Sequence, residues 1–228
     1  MVFLDFALNR VILELRYEEA FIYWDTCGSI NLAIKAQFPS WKWDKTTTEL
    51  SVFKEISKRL ELTFNITNIK FVQDQIESLN QFKIASKEIT PIIISRLNIA
   101  KFTRIGNRYI FVYPLKDIEQ GAELIKKNKL IQISEEKLKI FGDDSHKSSY
   151  VIYLKNGDKQ FRIELTTIER VEEAGIENIN EKYFPKYGLR FDMDFSINAK
   201  IQANDFSLED YIQSNYKFLE NNLTQLVR

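Results

Sequence analysis

Alternation of apolar and polar positions predicts strands in several parts of the chain. Residues 11–19, "VILELRYEE", alternate with a period of two that is typical of a strand with one wetter face. Residues 187–197, "YGLRFDMDFSI", alternate more cleanly, with apolar side chains on one face and Arg190, Asp192, Asp194 and Ser196 on a solvated one. Further strands are predicted in residues 50–66 and 68–76.

A hairpin is the strongest local signal. In "SSYVIYLKNGDKQFRIELTTI", Asn156 and Gly157 stand between two runs rich in β-branched and aromatic residues. Asn-Gly is a favoured sequence for a tight turn between antiparallel strands. The sequence therefore predicts a hairpin centred on these two residues.

Helical spacing of apolar residues predicts the remaining elements. Residues 24–38 are predicted to form a helix that ends before Pro39, and residues 77–97 a second one that Pro91 kinks or splits. Residues 117–130 predict a short helix. The last helix is predicted to begin after Ser207, which has the chemistry of an N-cap.

The order of these elements favours an α+β fold. Helices separate strands in the first half of the chain, and a run of strands dominates the second half. We therefore expect a largely antiparallel sheet packed with helices in a single domain over residues 1–228. A division into two lobes, 1–115 and 116–228, remains open at this point.

Composition indicates an ordered globular protein in a reducing compartment. The chain has 228 residues, of which 44% are hydrophobic, and it contains one cysteine, Cys27. One cysteine excludes an internal disulfide and a zinc site built from cysteines, and it favours the cytoplasm. Charged residues interrupt the apolar start too often for a membrane span or a signal peptide, so no membrane partner is expected.

The net charge argues against a dedicated nucleic-acid binder. The 32 Lys and Arg residues balance the 32 Asp and Glu residues. The chain as a whole therefore lacks the electrostatic signature of such proteins, although zero net charge does not exclude a local basic patch.

The strand predicted at 102–113 contains an unusual pattern of charge. Arg104, Gly106 and Arg108 share one face, and the glycine leaves a gap between the two guanidinium groups. One interpretation is a ligand-binding pocket in which the arginines hold a phosphate or a carboxylate. The alternative is that Glu14 and Glu18 of the first strand neutralise them across the sheet.

Two carboxylates and one histidine are candidates for chemistry. Asp192 and Asp194 lie on one strand face roughly 7 Å apart. One interpretation is a pair of metal ligands or an acid–base pair, and the alternative is a solvated charge ladder with Arg190. His146, in the polar segment "GDDSHKSS", is a ligand or simply exposed. No metal and no catalytic residue is assigned on this basis.

An aromatic and basic segment is a candidate contact surface. In "FPSWKWDKTTTEL", Trp41, Lys42, Trp43 and Lys45 combine the residues that stack on and neutralise a single strand of nucleic acid. Tryptophan is also a favoured anchor of protein contacts. Packing of these rings beside a strand is the third alternative.

"RIGNRYIFVY", residues 104–113, resembles the arginine-isoleucine-glycine-x-arginine-tyrosine-isoleucine-asparagine signature of a sporadically distributed family of uncharacterised prokaryotic proteins. "VILELRYEEAF" is similar to that family's opening strand, and "LRFDMDFSI" with the terminal helix is similar to its closing elements. Phe111 stands where the signature has asparagine. The family has no established catalytic residues, so the resemblance implies no cofactor. Its patchy occurrence implies mobile genes, and hence antiviral defence or another mobile-element system.

Three functions are consistent with these features. The first is a non-enzymatic accessory subunit that docks a protein partner. The second is a subunit that contacts nucleic acid within a complex, for example as companion of a short Argonaute-like nuclease. The third is a carboxylate-based metal-dependent enzyme. This function ranks last, because the sequence contains no phosphate-binding loop, nucleophile elbow or metalloprotease motif.

Overall fold

The structure, a computed structural model, describes residues 6–127, 149–170 and 180–223. The strands are β1 (Ala7–Tyr17), β2 (Lys42–Thr46), β3 (Ser51–Glu55), β4 (Leu60–Phe64), β5 (Asn68–Asp74), β6 (Lys101–Leu115), β7 (Ser149–Asn156), β8 (Lys159–Glu169), β9 (Tyr187–Ile197) and β10 (Ile201–Gln202). The helices are α1 (Tyr23–Gln37), α2 (Leu79–Leu97), α3 (Ile118–Lys127) and α4 (Leu208–Asn222), and Ile56–Lys58 forms a single 3-10 turn.

These strands form one antiparallel sheet. Its order is β2-β3-β4-β5-β1-β6-β9-β8-β7, and β10 pairs with the start of β6 beyond the end of β9. The α+β fold with a largely antiparallel sheet, predicted from the sequence, is confirmed. The long strand β6 lies between β1 and β9, so the sheet continues without a break from strands before Pro114 to strands after it.

The described helices cover one face of the sheet. The Tyr109 hydroxyl of β6 donates a hydrogen bond to the Ile212 carbonyl of α4 at 2.7 Å, and the Tyr211 hydroxyl of α4 donates one to the Phe195 carbonyl of β9 at 2.9 Å. Complete burial of one large apolar side chain stabilises a protein by about 1.5–3 kcal/mol. The core beneath the helices includes Val11, Leu13, Leu15, Phe53, Phe64, Phe71, Phe82, Ile89, Phe111 and Phe191.

The opposite face of the sheet is charged, and none of the helices in the described ranges lies on it. Residues paired between antiparallel strands point to the same face, so they form rows across the sheet. One row contains Glu14, Gly106 and Ser196, and the next contains Arg108 and Asp194. We call this surface the charged face; its residues include Arg10, Glu14, Arg16, Lys70, Arg104, Arg108, Arg162, Glu164, Arg190, Asp192 and Asp194.

The predicted hairpin is β7–β8, with a loop of two residues. Asn156 pairs with Lys159, so the loop consists of Gly157 and Asp158 rather than of Asn156 and Gly157. Gly157 has a φ of 60°, which a type II′ turn requires at its first central position. The glycine is thus needed for its backbone conformation.

Pro91 and Pro114 each lie inside a regular element of the structure. α2 continues through Pro91 instead of being split there. Pro91 has no N–H to donate to the Lys87 carbonyl, but both residues lie on the exposed side of the helix, where water can donate to that carbonyl instead. β6 continues past Pro114 to Leu115. Its pairing with β1 ends at Val112, so Pro114 has a partner strand on one side only, a position where proline is tolerated.

Candidate functional site

Gly106 provides space for the side chain of Arg104. A Cβ atom added at Gly106 would lie 2.5 Å from Nη1 and 2.9 Å from Cζ of Arg104. The guanidinium therefore lies across the backbone of the glycine, where any other residue would place its side chain. Gly106 does not have a positive φ, so its role here is space and not backbone conformation.

Arg104 connects three neighbouring strands from this position. Its Nη1 donates to Oε2 of Glu14 on β1 at 2.8 Å, and its Nη2 donates to Oδ2 of Asp194 on β9 at 3.0 Å. The predicted neutralisation by a glutamate of the first strand is thus seen for Glu14. Glu18 is different, because it accepts a hydrogen bond from Lys200 at 3.0 Å instead.

Arg108 makes a bidentate pair with Asp192. Its Nε donates to Oδ1 at 2.6 Å, and its Nη2 donates to Oδ2 of the same carboxylate. Paired bonds of this kind are among the strongest between side chains. Asp192 is only 1% exposed, so the expectation that the polar face of this strand is solvated is wrong at that residue. The reason is that arginines of the neighbouring strands β6 and β8 lie beside it.

The alternation of arginine and carboxylate continues onto β8. Nη1 of Arg162 lies 3.8 Å from Oδ2 of Asp192, and its Nη2 donates to Oε2 of Glu164. Oε1 of Glu164 also accepts a hydrogen bond from Nη2 of Arg190 at 3.0 Å. Each carboxylate of this network therefore lies beside at least one guanidinium, which offsets the loss of hydration that burial causes.

The network shifts the pKa values of its members. Hydrogen bonding to Asp192 raises the pKa of Arg108 above its ordinary value. Burial acts to raise the pKa of Glu164, but Arg162 and Arg190 together outweigh it and hold that pKa below its usual range. Burial raises the pKa of Asp194, and Arg104 and Arg108 offset only part of this effect. The pKa values of Asp194 and Glu164 are thus shifted in opposite directions.

A cavity of about 490 Å³ opens on the charged face beside Arg104. Its lining contains four basic side chains from β1, β6, β7 and β8, and a single carboxylate from β9. We call this cavity the basic cleft and define it by Arg16, Arg104, Lys155, Arg162, Asp194 and Tyr153. Gly106 and Arg108, the other predicted anion ligands, do not line it; Gly106 lies beneath the Arg104 guanidinium, and Arg108 is turned towards Asp192.

Sequence reasoning missed four residues of this cleft, namely Arg16, Tyr153, Lys155 and Arg162. A signal was present, because residues 160–166 of β8 alternate between polar and apolar positions. That alternation predicts a polar face for β8, but it does not reveal that β8 pairs with β9 and so brings Arg162 opposite Asp194. The cleft depends on this pairing.

The predicted contact segment divides into buried and exposed residues. Trp41 is 4% exposed and offers no surface to a partner, because it packs into the core. Trp43 is 58% exposed, and Lys42 and Lys45 of the same edge strand are also exposed. This segment is therefore available for contact only along the exposed side of β2.

Further exposed aromatic side chains lie at the start of α1. Trp24 is 53% and Phe21 is 55% exposed, and their ring centroids are 5.6 Å apart. The Trp24 indole N–H donates to the Thr48 carbonyl at 3.0 Å, and that of Trp43 donates to Oγ1 of Thr46 at 2.9 Å. Thr46 is the last residue of β2 and Thr48 lies in the loop that follows, so both indoles are bonded to the same short segment. We call Phe21, Trp24 and Trp43 the aromatic surface.

The described residues offer little for metal chemistry. No group of three or more His, Cys, Asp or Glu residues within the described ranges could hold a metal ion. Asp192 and Asp194 are both bonded to arginines. His146 lies outside the described residues. No helix in the described part of the chain is both long enough and apolar enough to cross a membrane.

No protein-family model matches this chain, and no curated protein matches it. The resemblance of residues 104–113 to a sporadic prokaryotic family therefore remains a prediction from the signature.

Proposed function

We propose that this chain is a non-enzymatic subunit that docks a protein partner through the aromatic surface. The observation that supports it is the bonding of the two exposed indoles. Each indole N–H already has an acceptor within the chain, so each ring can present an apolar face to a partner without losing a hydrogen bond.

Hydrogen bonds to Thr46, the last residue of β2, and to Thr48, in the loop that follows, hold these rings in place. Oγ1 of Thr46 accepts hydrogen bonds from Trp43 and from Nδ2 of Asn31 at 2.7 Å, and it lies 3.1 Å from Oγ of Ser51. Because a hydroxyl oxygen has two lone pairs, its own hydrogen is directed to Ser51. Rings that are already fixed lose less conformational entropy when a partner covers them.

The size of the exposed rings is consistent with a binding anchor. A large side chain that goes from exposed to buried contributes about 1.5–3 kcal/mol, and Trp24 and Trp43 are each slightly more than half exposed. Tryptophan is also enriched among the residues that dominate binding energies. The setting that the sequence resemblance implies is an antiviral-defence or mobile-element system, with a partner encoded beside this gene.

The test is co-expression with the products of adjacent genes, followed by size-exclusion chromatography. We expect one of them to co-elute with this chain, and Trp24→Ala and Trp43→Ala each to weaken the complex about tenfold or more. Phe184→Ala is the matched control, because Phe184 is 40% exposed and its carbonyl accepts a hydrogen bond from Arg170, which follows β8, several strands away from β2 in the sheet. Elution as a monomer with every neighbour would overturn the proposal.

Contact with nucleic acid is a second candidate, favoured by the exposure of Trp43 beside Lys42 and Lys45 on β2. A base can stack on the indole while the lysines neutralise phosphates. The companion of a short Argonaute-like nuclease is one form that such a subunit takes. Binding of a labelled single strand should then weaken steeply between 50 and 200 mM salt, and an affinity independent of salt would exclude this contact.

A further inference from the structure

The basic cleft is a second surface with the chemistry of a binding site, separate from the aromatic surface. Arg16, Arg104, Lys155 and Arg162 line it, with Asp194 as the carboxylate among them. Its volume of about 490 Å³ lies within the range of about 300–1,000 Å³ that is usual for small-ligand sites. We propose that this cleft binds a nucleotide, with the phosphate group on the basic side chains and the base on Tyr153.

The arginines still have hydrogen-bond donors to offer. A guanidinium has more N–H groups than the carboxylates of the network use: Arg104 donates to Glu14 and Asp194, and Arg16 donates to Glu14. Lys155 has no ion pair among the described residues. A phosphate entering the cleft can therefore accept bonds from side chains that keep their internal partners.

The network orients these donors before a ligand arrives. Glu14 and Asp194 fix the Arg104 guanidinium over Gly106, and Glu164 fixes that of Arg162. Side chains that are already ordered lose less entropy on binding, which increases affinity. Planar guanidiniums that approach from three strands suit the several oxygens of a phosphate group.

Tyr153 supplies the aromatic part of the site. It is 74% exposed, it lines the cleft, and it pairs across the hairpin with Arg162. An exposed aromatic ring beside phosphate-binding residues provides a face on which a base can stack, and such stacking tolerates different bases. This ring favours a nucleotide over phosphate alone.

The cleft can receive its nucleotide as a free molecule or as part of a strand. Calorimetric titration of the full chain with ATP, with AMP, with inorganic pyrophosphate and with a short single-stranded oligonucleotide distinguishes these sources. Saturable binding of ATP or AMP supports a free nucleotide, and saturable binding of the oligonucleotide alone supports a strand. No saturable binding of any of the four probes would overturn the proposal.

Variants at exposed residues test the location of the site. Arg16→Ala and Lys155→Ala should each weaken nucleotide binding about tenfold, because each removes charged donors. Lys155 has no ion pair among the described residues, and Arg16→Ala removes only its pair with Glu14, which stays paired with Arg104. Lys35→Ala, at an exposed position of α1, is the matched control and should leave affinity unchanged. An equal loss in Lys35→Ala would show non-specific attraction and overturn the assignment.

A last variant tests the role of the base. Tyr153→Ala should weaken the binding of ATP at least fivefold, because it removes the stacking face, and it should leave the binding of pyrophosphate unchanged. An unchanged affinity for ATP, or pyrophosphate binding as tight as ATP, would overturn the contact with the base. None of these results depends on a protein partner, so failure here is distinct from failure of the docking proposal.

Discussion

The interaction of Gly106 with Arg104 makes a quantitative prediction about stability. In Gly106→Ala, the new Cβ would approach Nη1 of Arg104 to 2.5 Å, so the guanidinium must move. The nearest atoms belong to the end of a flexible side chain, and hence no backbone shift is required. Two opposing effects then determine the change in the free energy of unfolding.

The first effect is the loss of the ion pairs to Glu14 and Asp194. Arg104 is 20% exposed and its two partners 23% and 25%, so each pair contributes about 0.2–1 kcal/mol, as is usual for partly hydrated pairs. The second effect is a gain of about 0.5–1 kcal/mol, because glycine in a strand loses more conformational entropy on folding than alanine. We expect a net change below about 1.5 kcal/mol for the single substitution.

A double-mutant cycle separates the two effects. In an Arg104→Ala background the clash is absent, so Gly106→Ala should stabilise the protein by about 0.5–1 kcal/mol. The coupling energy between the two positions, measured by urea denaturation, should therefore be about 0.5–2 kcal/mol. A parallel cycle with Arg108→Ala is the control, because that side chain is turned towards Asp192. Additivity within about 0.3 kcal/mol in the Arg104 cycle would refute our explanation of the glycine.

Four further predictions concern stability, each measured by urea denaturation. The pKa of Glu164 is lowered, so its contribution is present at neutral pH and is lost as pH falls through its folded pKa; Glu164→Gln should cost about 1–3 kcal/mol at pH 7. The pKa of Asp194 is raised, so the free energy of unfolding falls as pH rises through that pKa. Asp194→Asn should remove this pH dependence and should destabilise the protein less than Glu164→Gln does. A larger loss of stability in Asp194→Asn would contradict the prediction. Gly157→Ala should destabilise the protein by about 1–2 kcal/mol, because Gly157 has a positive φ. Gly28→Ala in α1 should stabilise it by up to about 1 kcal/mol, because no atom lies near the added Cβ. A stabilising Gly157→Ala together with a destabilising Gly28→Ala would be inconsistent with the structure. Ser207→Ala should cost about 1 kcal/mol, since its Oγ accepts from the Asp210 N–H, and no change would exclude this cap.

Local sequence patterns predict most of the elements. The strands β1 and β9 follow from alternation, and the β7–β8 hairpin follows from Asn156 and Gly157, because these signals lie within a few residues of one another. The face of the sheet on which each residue of β9 lies is also predictable. Alternation does not reveal what covers that face, and this is why the burial of Asp192 was missed.

The pairing of distant strands is what the sequence does not reveal. Glu14 could be proposed as a partner of Arg104 from charge and spacing alone. The second partner, Asp194, is 90 residues from Arg104. It comes within hydrogen-bonding distance only because β6 pairs with β9 in a register that places Asp194 opposite Arg108. Many registers of these strands satisfy the same hydrophobic pattern, and turn chemistry does not select between strands so far apart. The basic cleft and its two missed arginines depend on that register.

The position of β6 between β1 and β9 has a consequence for synthesis on the ribosome. Arg108 emerges 84 residues before its partner Asp192, so the nascent chain exposes β6 as an unpaired edge until β9 has been made. Unpaired edges are prone to aggregation, and charged side chains are a common protection against it. The arginines on either side of Gly106 place charge on this temporary edge strand, and such charge disfavours incorrect strand pairing.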